Sequence, residues 1–220
     1  MQYLNRGEAI SALKSMKSFH DECKNLYDKH GFNLLDNLGR RNIVLSQAQE
    51  KFFADVLAER HIDVINDGRT GQPDIVIRSL DKELECKLTS RHKSGTISFQ
   101  SDYESLVQKG TLDYLYVIAD IEFEKFVVLH FQDLAIDDFR PLSTGSRGKV
   151  AMYKHKGMKK CNVLVGDAID LSKARRTELK EILSSKKLTQ NQRDKAEKSL
   201  KFWSTQPARY SFVMEDLNGN

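Results

Sequence analysis

Apolar residues recur at helical spacing between residues 7 and 30, where Ile10, Leu13, Met16, Cys23 and Tyr27 fall near one face. Gly31 is well placed to end that helix. The stretch Leu38-Gly39-Arg40-Arg41-Asn42 reads as a polar break. A second helix is predicted to start at Ser46, because Ser46 with Gln49 matches a capping box. Ala48, Phe52, Phe53, Val56 and Leu57 then form an apolar stripe. At about 100° per residue, Glu50 falls roughly 20° beyond Leu57, at the margin of the stripe. A carboxylate there can look into a cleft beside the core.

Three short strands are expected next, over 62–66, 74–78 and 83–88, with a loop over 67–71 and a turn over 79–82. A helix is predicted over 102–109, where Tyr103, Leu106 and Val107 share a face and Gly110 closes the segment. Apolar strands follow over 113–119 and 126–131. The Gly-, Ser- and Lys-rich section 143–161 reads as a loop or ribbon. Two helices are expected near 172–184 and 189–203, the second with a capping box at Thr189 and Gln192. The order helix, three strands, helix, strand predicts an α/β fold with a mixed central sheet flanked by helices, and extra helices at both termini.

Composition narrows the picture. With 220 residues the chain is read as a single domain over 1–220. No run of about 18 apolar residues occurs, so no membrane partner is expected. Residues 1–5 lack the features of a secretory signal, and Cys23, Cys86 and Cys161 form no C-x-x-C pair. These features together predict a cytoplasmic, reducing setting. The net charge of +4 is unevenly spread. Residues 140–201 carry 17 Lys/Arg against 6 Asp/Glu, and the remainder carries 18 against 25. A basic C-terminal third beside an acidic body points to a polyanion-binding surface; a solvated charged helix face is the alternative.

The chemistry concentrates in Gly71-Gln72-Pro73-Asp74-Ile75-Val76-Ile77 and Glu83-Leu84-Glu85-Cys86-Lys87-Leu88. Alternation along a strand sends Leu84, Cys86 and Leu88 to one face and Glu83, Glu85 and Lys87 to the other. Asp74 opens the preceding strand, so its carboxylate can reach the same spot. Two carboxylates and an ammonium suit phosphodiester hydrolysis. Oxygen donors hold Mg²⁺ and leave positions for water and phosphate, while the lysine orients the attacking water or offsets developing charge. The backbone carbonyl of Cys86 is a further candidate metal ligand, and Glu50 can join from the flanking helix. The bland alternative is a solvated hairpin face whose opposite charges are mildly stabilising.

Pro73-Asp74, followed after ten intervening residues by Glu85-Cys86-Lys87, resembles the signature of the PD-(D/E)XK nuclease superfamily. The resemblance covers roughly residues 46–120 and rests on the motif and the element order together. It implies a restriction-endonuclease-like αβββαβ core, here about 46–131. Asp74 and Glu85 would bind metal and Lys87 would be the catalytic lysine. Glu50 matches an acidic residue that many members carry on the first core helix, and Gln100 resembles a polar residue found near the second.

Chain length and the basic C-terminal region make the chain most similar to a type II restriction endonuclease. That implies Mg²⁺-dependent hydrolysis of double-stranded DNA at a short specific site, by a homodimer, with a DNA methyltransferase acting on the same site. DNA contacts are expected from a basic region of about 140–203, above all Arg147, Lys149, Lys154, His155, Lys156, Lys159 and Lys160. Arg91-His92-Lys93, directly after the catalytic strand, and Gln100 are further candidates. Arg40 and Arg41 are weaker ones. A repair, recombination or structure-specific nuclease of the same fold and a non-catalytic DNA-binding relative are the competing readings.

Overall fold

The computed structural model describes residues 2–67, 69, 72–90, 97–185, 187–206 and 208–217. Helix α1, Arg6–Lys29, starts at a reciprocal cap: Asn5 Oδ1 accepts the Glu8 amide at 3.1 Å, and Glu8 Oε2 accepts the Asn5 amide at 2.8 Å. Its buried residues, Ala9, Ala12, Leu13, Met16 and His20, follow helical spacing. The chain leaves it through Gly31, whose φ of +76° favours glycine.

Helix α2, Leu38–Ala58, starts eight residues before the expected Ser46. Asn37 Oδ1 caps it, accepting the Arg40 amide at 3.0 Å, while Ser46 lies mid-helix and donates to the Ile43 carbonyl at 2.8 Å. The polar segment 38–42 therefore opens the helix and does not break it. Polarity is tolerated there because Arg41, though fully buried, donates to the carbonyls of Asp120 and Ile121 and to Ser90 Oγ.

Strands β1 (Val64–Ile65), β2 (Ile75–Ile77) and β3 (Lys82–Ser90) follow. Next come β4 (Gln100–Asp102), helix α3 (Tyr103–Lys109), β5 (Thr111–Ala119) and β6 (Lys125–Ala135). Strand β7 is Lys149–Ala151, helix α4 is Lys154–Gly157, and β8 is Cys161–Val165. The segment 143–161, expected as a loop or ribbon, thus contains a strand, a helical turn and a short 3₁₀ turn at Met158–Lys160.

The last elements are β9 (Asp167–Asp170), α5 (Leu171–Ser184), α6 (Gln190–Thr205), β10 (Tyr210–Val213) and β11 (Glu215–Asp216). The main sheet has the order β1-β2-β3-β5-β6-β11, with β8 also paired to β6. Among the described residues only β3 and β5 run parallel, so the sheet is mixed. A parallel pair needs a crossover, and β4 and α3 lie between the two strands along the chain.

Helices α1 and α2 pack on the sheet face that carries Leu84, Cys86, Leu115 and Val117. Phe53 and Leu57 from α2 are fully buried there; each such side chain contributes about 1.5–3 kcal/mol of burial. Tyr114 and Tyr116 alternate with this set and so face the other way. On that opposite side they meet β4, and β4 pairs antiparallel with β7.

The chain forms two compact units: residues 1–167 with 214–220, and residues 168–213. The basic region of about 140–203 is divided between them. In the second unit β9 pairs with β10, and α5 packs on α6, burying Leu179 and Ala196. The capping box expected at Thr189 is present: its Oγ1 accepts the Gln192 amide at 3.3 Å. Among the described residues no helix is long and apolar enough to cross a membrane.

Candidate active site

The β2–β3 pairing ends at Ile75↔Leu84, so Asp74 and Glu85 come next on the two strands. There the strands stop exchanging backbone bonds, and the Asp74 carboxylate takes over. Its Oδ2 accepts the Cys86 amide at 2.7 Å. Lys87 Nζ donates to Glu85 Oε2 at 3.2 Å and to the Cys86 carbonyl at 3.0 Å, and lies 3.8 Å from Asp74 Oδ2. The three residues predicted from the motif are thus brought together, with the Cys86 carbonyl among them. Their side chains stay 22% (Asp74), 23% (Glu85) and 41% (Lys87) exposed, which leaves the cluster open to a large substrate.

Glu50, half-buried on α2, is held above the ordinary carboxylate range first by burial and then by the negative charge of Asp74. Lys87 opposes this and Glu85 adds to it, so Glu50 lies within electrostatic reach of all three. Its neighbour Gln49, read from the sequence as a capping partner, is fully buried and donates to the Leu115 carbonyl at 3.0 Å. That bond fixes the turn of α2 bearing Glu50 against β5. Burial pushes the Cys86 thiol well up, with Asp74 and Glu50 adding, so its carbonyl is the better candidate ligand.

Among the described residues no three His, Cys, Asp or Glu side chains gather closely enough to hold a metal ion. What the cluster offers is two carboxylates and one carbonyl, all hard oxygens suited to Mg²⁺ with water and phosphate completing its shell. These oxygens already surround one cation, the Lys87 ammonium. By donor type the residues fit magnesium.

The register sets Tyr114 beside Glu85 and Tyr116 beside Lys87. Both tyrosines are buried, but each also spends its hydroxyl on β4. Tyr116 accepts the Gln100 amide at 3.0 Å and donates to the Gln100 carbonyl at 2.8 Å, and Tyr114 bonds Ser101 Oγ. Burial raises both phenols well above their ordinary value, keeping them neutral donors. The β4–β7 pair is thereby pinned above the face that carries Glu85 and Lys87.

The candidate DNA contacts divide. Gln100 has an exposed side chain on β4. Arg147 is exposed, with φ +52° in the loop before β7. Lys149 lies 3.4 Å from Asp102, Lys156 donates to the Asp137 carbonyl at 2.7 Å, and Lys160 holds Asp138 and the Asp133 carbonyl, both at 2.7 Å. His155 and Lys159 are exposed, and Lys154 is half-buried over the Phe99 ring. Arg91, His92 and Lys93 lie outside the described residues.

Arg41 is buried and bonded within the protein, so it is not a DNA contact. Arg41 and Gln49 both lie at helical spacing from Leu45, on the buried stripe of α2. Glu83, on the same strand face as Glu85, accepts a hydrogen bond from Lys109 at 2.6 Å. A cleft lined by Tyr27, Phe32, Asn37 and Arg40 contains none of the motif residues. Compared with known proteins, the chain matches no family model, no curated protein and no solved structure at significance.

Proposed function

We propose that the chain is a magnesium-dependent DNA endonuclease of the PD-(D/E)XK superfamily, with a restriction-endonuclease-like core. In this reading it cuts double-stranded DNA at a short specific site, as type II restriction endonucleases do. The observation that carries the reading is the convergence of Asp74, Glu85 and the Cys86 carbonyl within 3.0–3.8 Å of the Lys87 ammonium. A half-buried glutamate from a separate helix, Glu50, shares the electrostatic field of these residues, which a solvated hairpin face alone would not require.

Asp74, Glu85 and the Cys86 carbonyl would hold Mg²⁺. When bound, magnesium places positive charge against the scissile phosphate and acidifies water. Lys87 stands where an ammonium can hold the attacking water through a hydrogen bond and offset charge developing on phosphorus. Asp74 has a second task, holding the Cys86 peptide so that its carbonyl stays aimed at the cluster. Glu50 adds negative charge that favours a divalent cation over the lysine alone. Cutting a palindrome calls for a two-fold homodimer, and a host would protect its own copies of the site with a methyltransferase.

The test is incubation of the purified protein with unmethylated phage DNA and Mg²⁺, beside an EDTA control and Lys87→Ala. Discrete bands that need metal and vanish in the variant are the expected result. A metal-dependent smear, or cutting of branched DNA only, would move the reading to a repair or recombination nuclease. No cleavage on a varied panel would leave a non-catalytic relative.

A further inference from the structure

The basic residues around β7 and α4 are unequal in what surrounds them. Lys149 faces Asp102, Lys156 is bonded to a carbonyl, and Lys160 bridges a carboxylate and a carbonyl. Lys154 has none of this. It is half-buried, its Nζ lies 5.8 Å from the centre of the Phe99 ring, and among the described residues it makes no hydrogen bond or ion pair. None of the remaining residues is an Asp or Glu. Burial holds its ionisation below the ordinary lysine value, and among the described residues no negative charge offsets this.

An ammonium that has lost water without gaining a counter-charge weakens the fold that carries it. A weak cation–π contact returns only part of that loss. A ligand that brings its own negative charge would supply the rest. The position is continuous with the candidate active site. Phe99 packs edge-on against Tyr116 at 4.8 Å, and Tyr116 is the register partner of Lys87. Lys154 is therefore reached from Lys87 by way of two aromatic rings on one face of the sheet. The same strand segment carries the exposed side chain of Gln100.

We propose that Lys154 binds a backbone phosphate of the nucleic acid, away from the scissile one, and so positions the strand across Tyr116 and Phe99 toward Asp74, Glu85 and Lys87. The proposal rests on the nuclease reading and adds a distinction within it. Lys149, Lys156 and Lys160 serve the fold, whereas Lys154 serves the ligand. A phosphate contact carries no sequence information, so Lys154 sets affinity and strand position but not the recognition site.

The experiment is equilibrium binding of a fluorescent DNA duplex to the full chain in EDTA, which blocks cutting, across a salt series. Lys154→Met is expected to weaken binding several-fold and to lower the slope of log affinity against log salt by about one, the signature of one lost phosphate contact. Lys154→Arg should retain the slope, and Lys156→Met should leave it unchanged. Thermal unfolding supplies a second readout: Lys154→Met should raise Tm, because it removes an uncompensated charge. An unchanged slope in Lys154→Met, or a fall in its Tm with binding intact, would make Lys154 structural and overturn the proposal alone. Absence of any DNA binding by the unaltered chain would overturn the nuclease reading and this proposal together.

Discussion

Asp74 Oδ2 accepts the backbone amide of Cys86 at 2.7 Å, so one carboxylate both completes the β2–β3 pairing and stands in the candidate metal set. Structure and charge can be separated at this residue. Asp74→Asn keeps an oxygen acceptor for the amide and loses the negative charge; Asp74→Ala loses both. Asparagine should abolish cleavage with Tm nearly unchanged. Alanine should abolish cleavage and also cost about 1–3 kcal/mol, the penalty for an orphaned amide. Chemical denaturation of both variants beside a cleavage assay checks this, and equal stability of the two would remove Asp74 from its structural role.

Lys87 occupies the oxygens that Mg²⁺ would use. Lys87→Met should lose cleavage by at least about 100-fold and at the same time show a larger rise of Tm on Mg²⁺ addition than the unaltered chain. The ammonium no longer competes, and a ligand bound only to the folded state stabilises by mass action. Titrating Mg²⁺ during thermal unfolding reads this directly. Identical Tm responses would mean that the lysine and the cation do not share a site.

Tyr116 grips both the amide and the carbonyl of Gln100. Tyr116→Phe should leave the core packed but free the backbone of β4. The loss of about 1.4 kcal/mol corresponds to roughly tenfold faster amide exchange at Gln100. Hydrogen exchange followed residue by residue gives the answer; unchanged exchange would mean that β4 is held by β7 alone.

Arg41 ties the first turn of α2 to Ser90 at the end of β3 and to the carbonyls of Asp120 and Ile121. Replacement by methionine fills the space but orphans these acceptors, and should destabilise by about 3 kcal/mol. Lysine, which cannot reach the same acceptors with a planar fork, should recover only part of it. A denaturation midpoint within error of the unaltered chain would contradict this.

His130 is fully buried on β6 against the Tyr3 ring, with neither ring nitrogen bonded among the described residues. Burial lowers its pKa to about 4, with Lys82 adding. In the unfolded chain a histidine titrates near 6.5. The unfolded state therefore binds more protons between these values, and stability falls as pH drops from about 6.5 towards 4. It is flat above that window as far as this residue is concerned. The full span is about 3 kcal/mol. Comparing unfolding of the unaltered chain and His130→Leu at pH 7 and near pH 4.5 tests it; the variant should lack this part of the acid loss.

Much of the layout was legible in the sequence because it is local. The periodicities of α1, α5 and α6 and the apolar runs of β5 and β6 name their own elements. Asp74, Glu85 and Lys87 meet because a hairpin and strand alternation bring near neighbours together. The other features depend on partners far along the chain. Arg41 and Gln49 looked like a polar break and a cap, yet their acceptors lie 80 and 66 residues away, and without those acceptors neither could be buried. The short strands β4, β7, β8 and β11 have too few residues to show a pattern and exist because another strand offers an edge. The charge count showed that the C-terminal third is basic. It could not sort Lys160, held by Asp138, from Lys154, held by nothing charged. An ammonium's readiness to bind a ligand depends on what surrounds it, and only the tertiary structure assigns those surroundings.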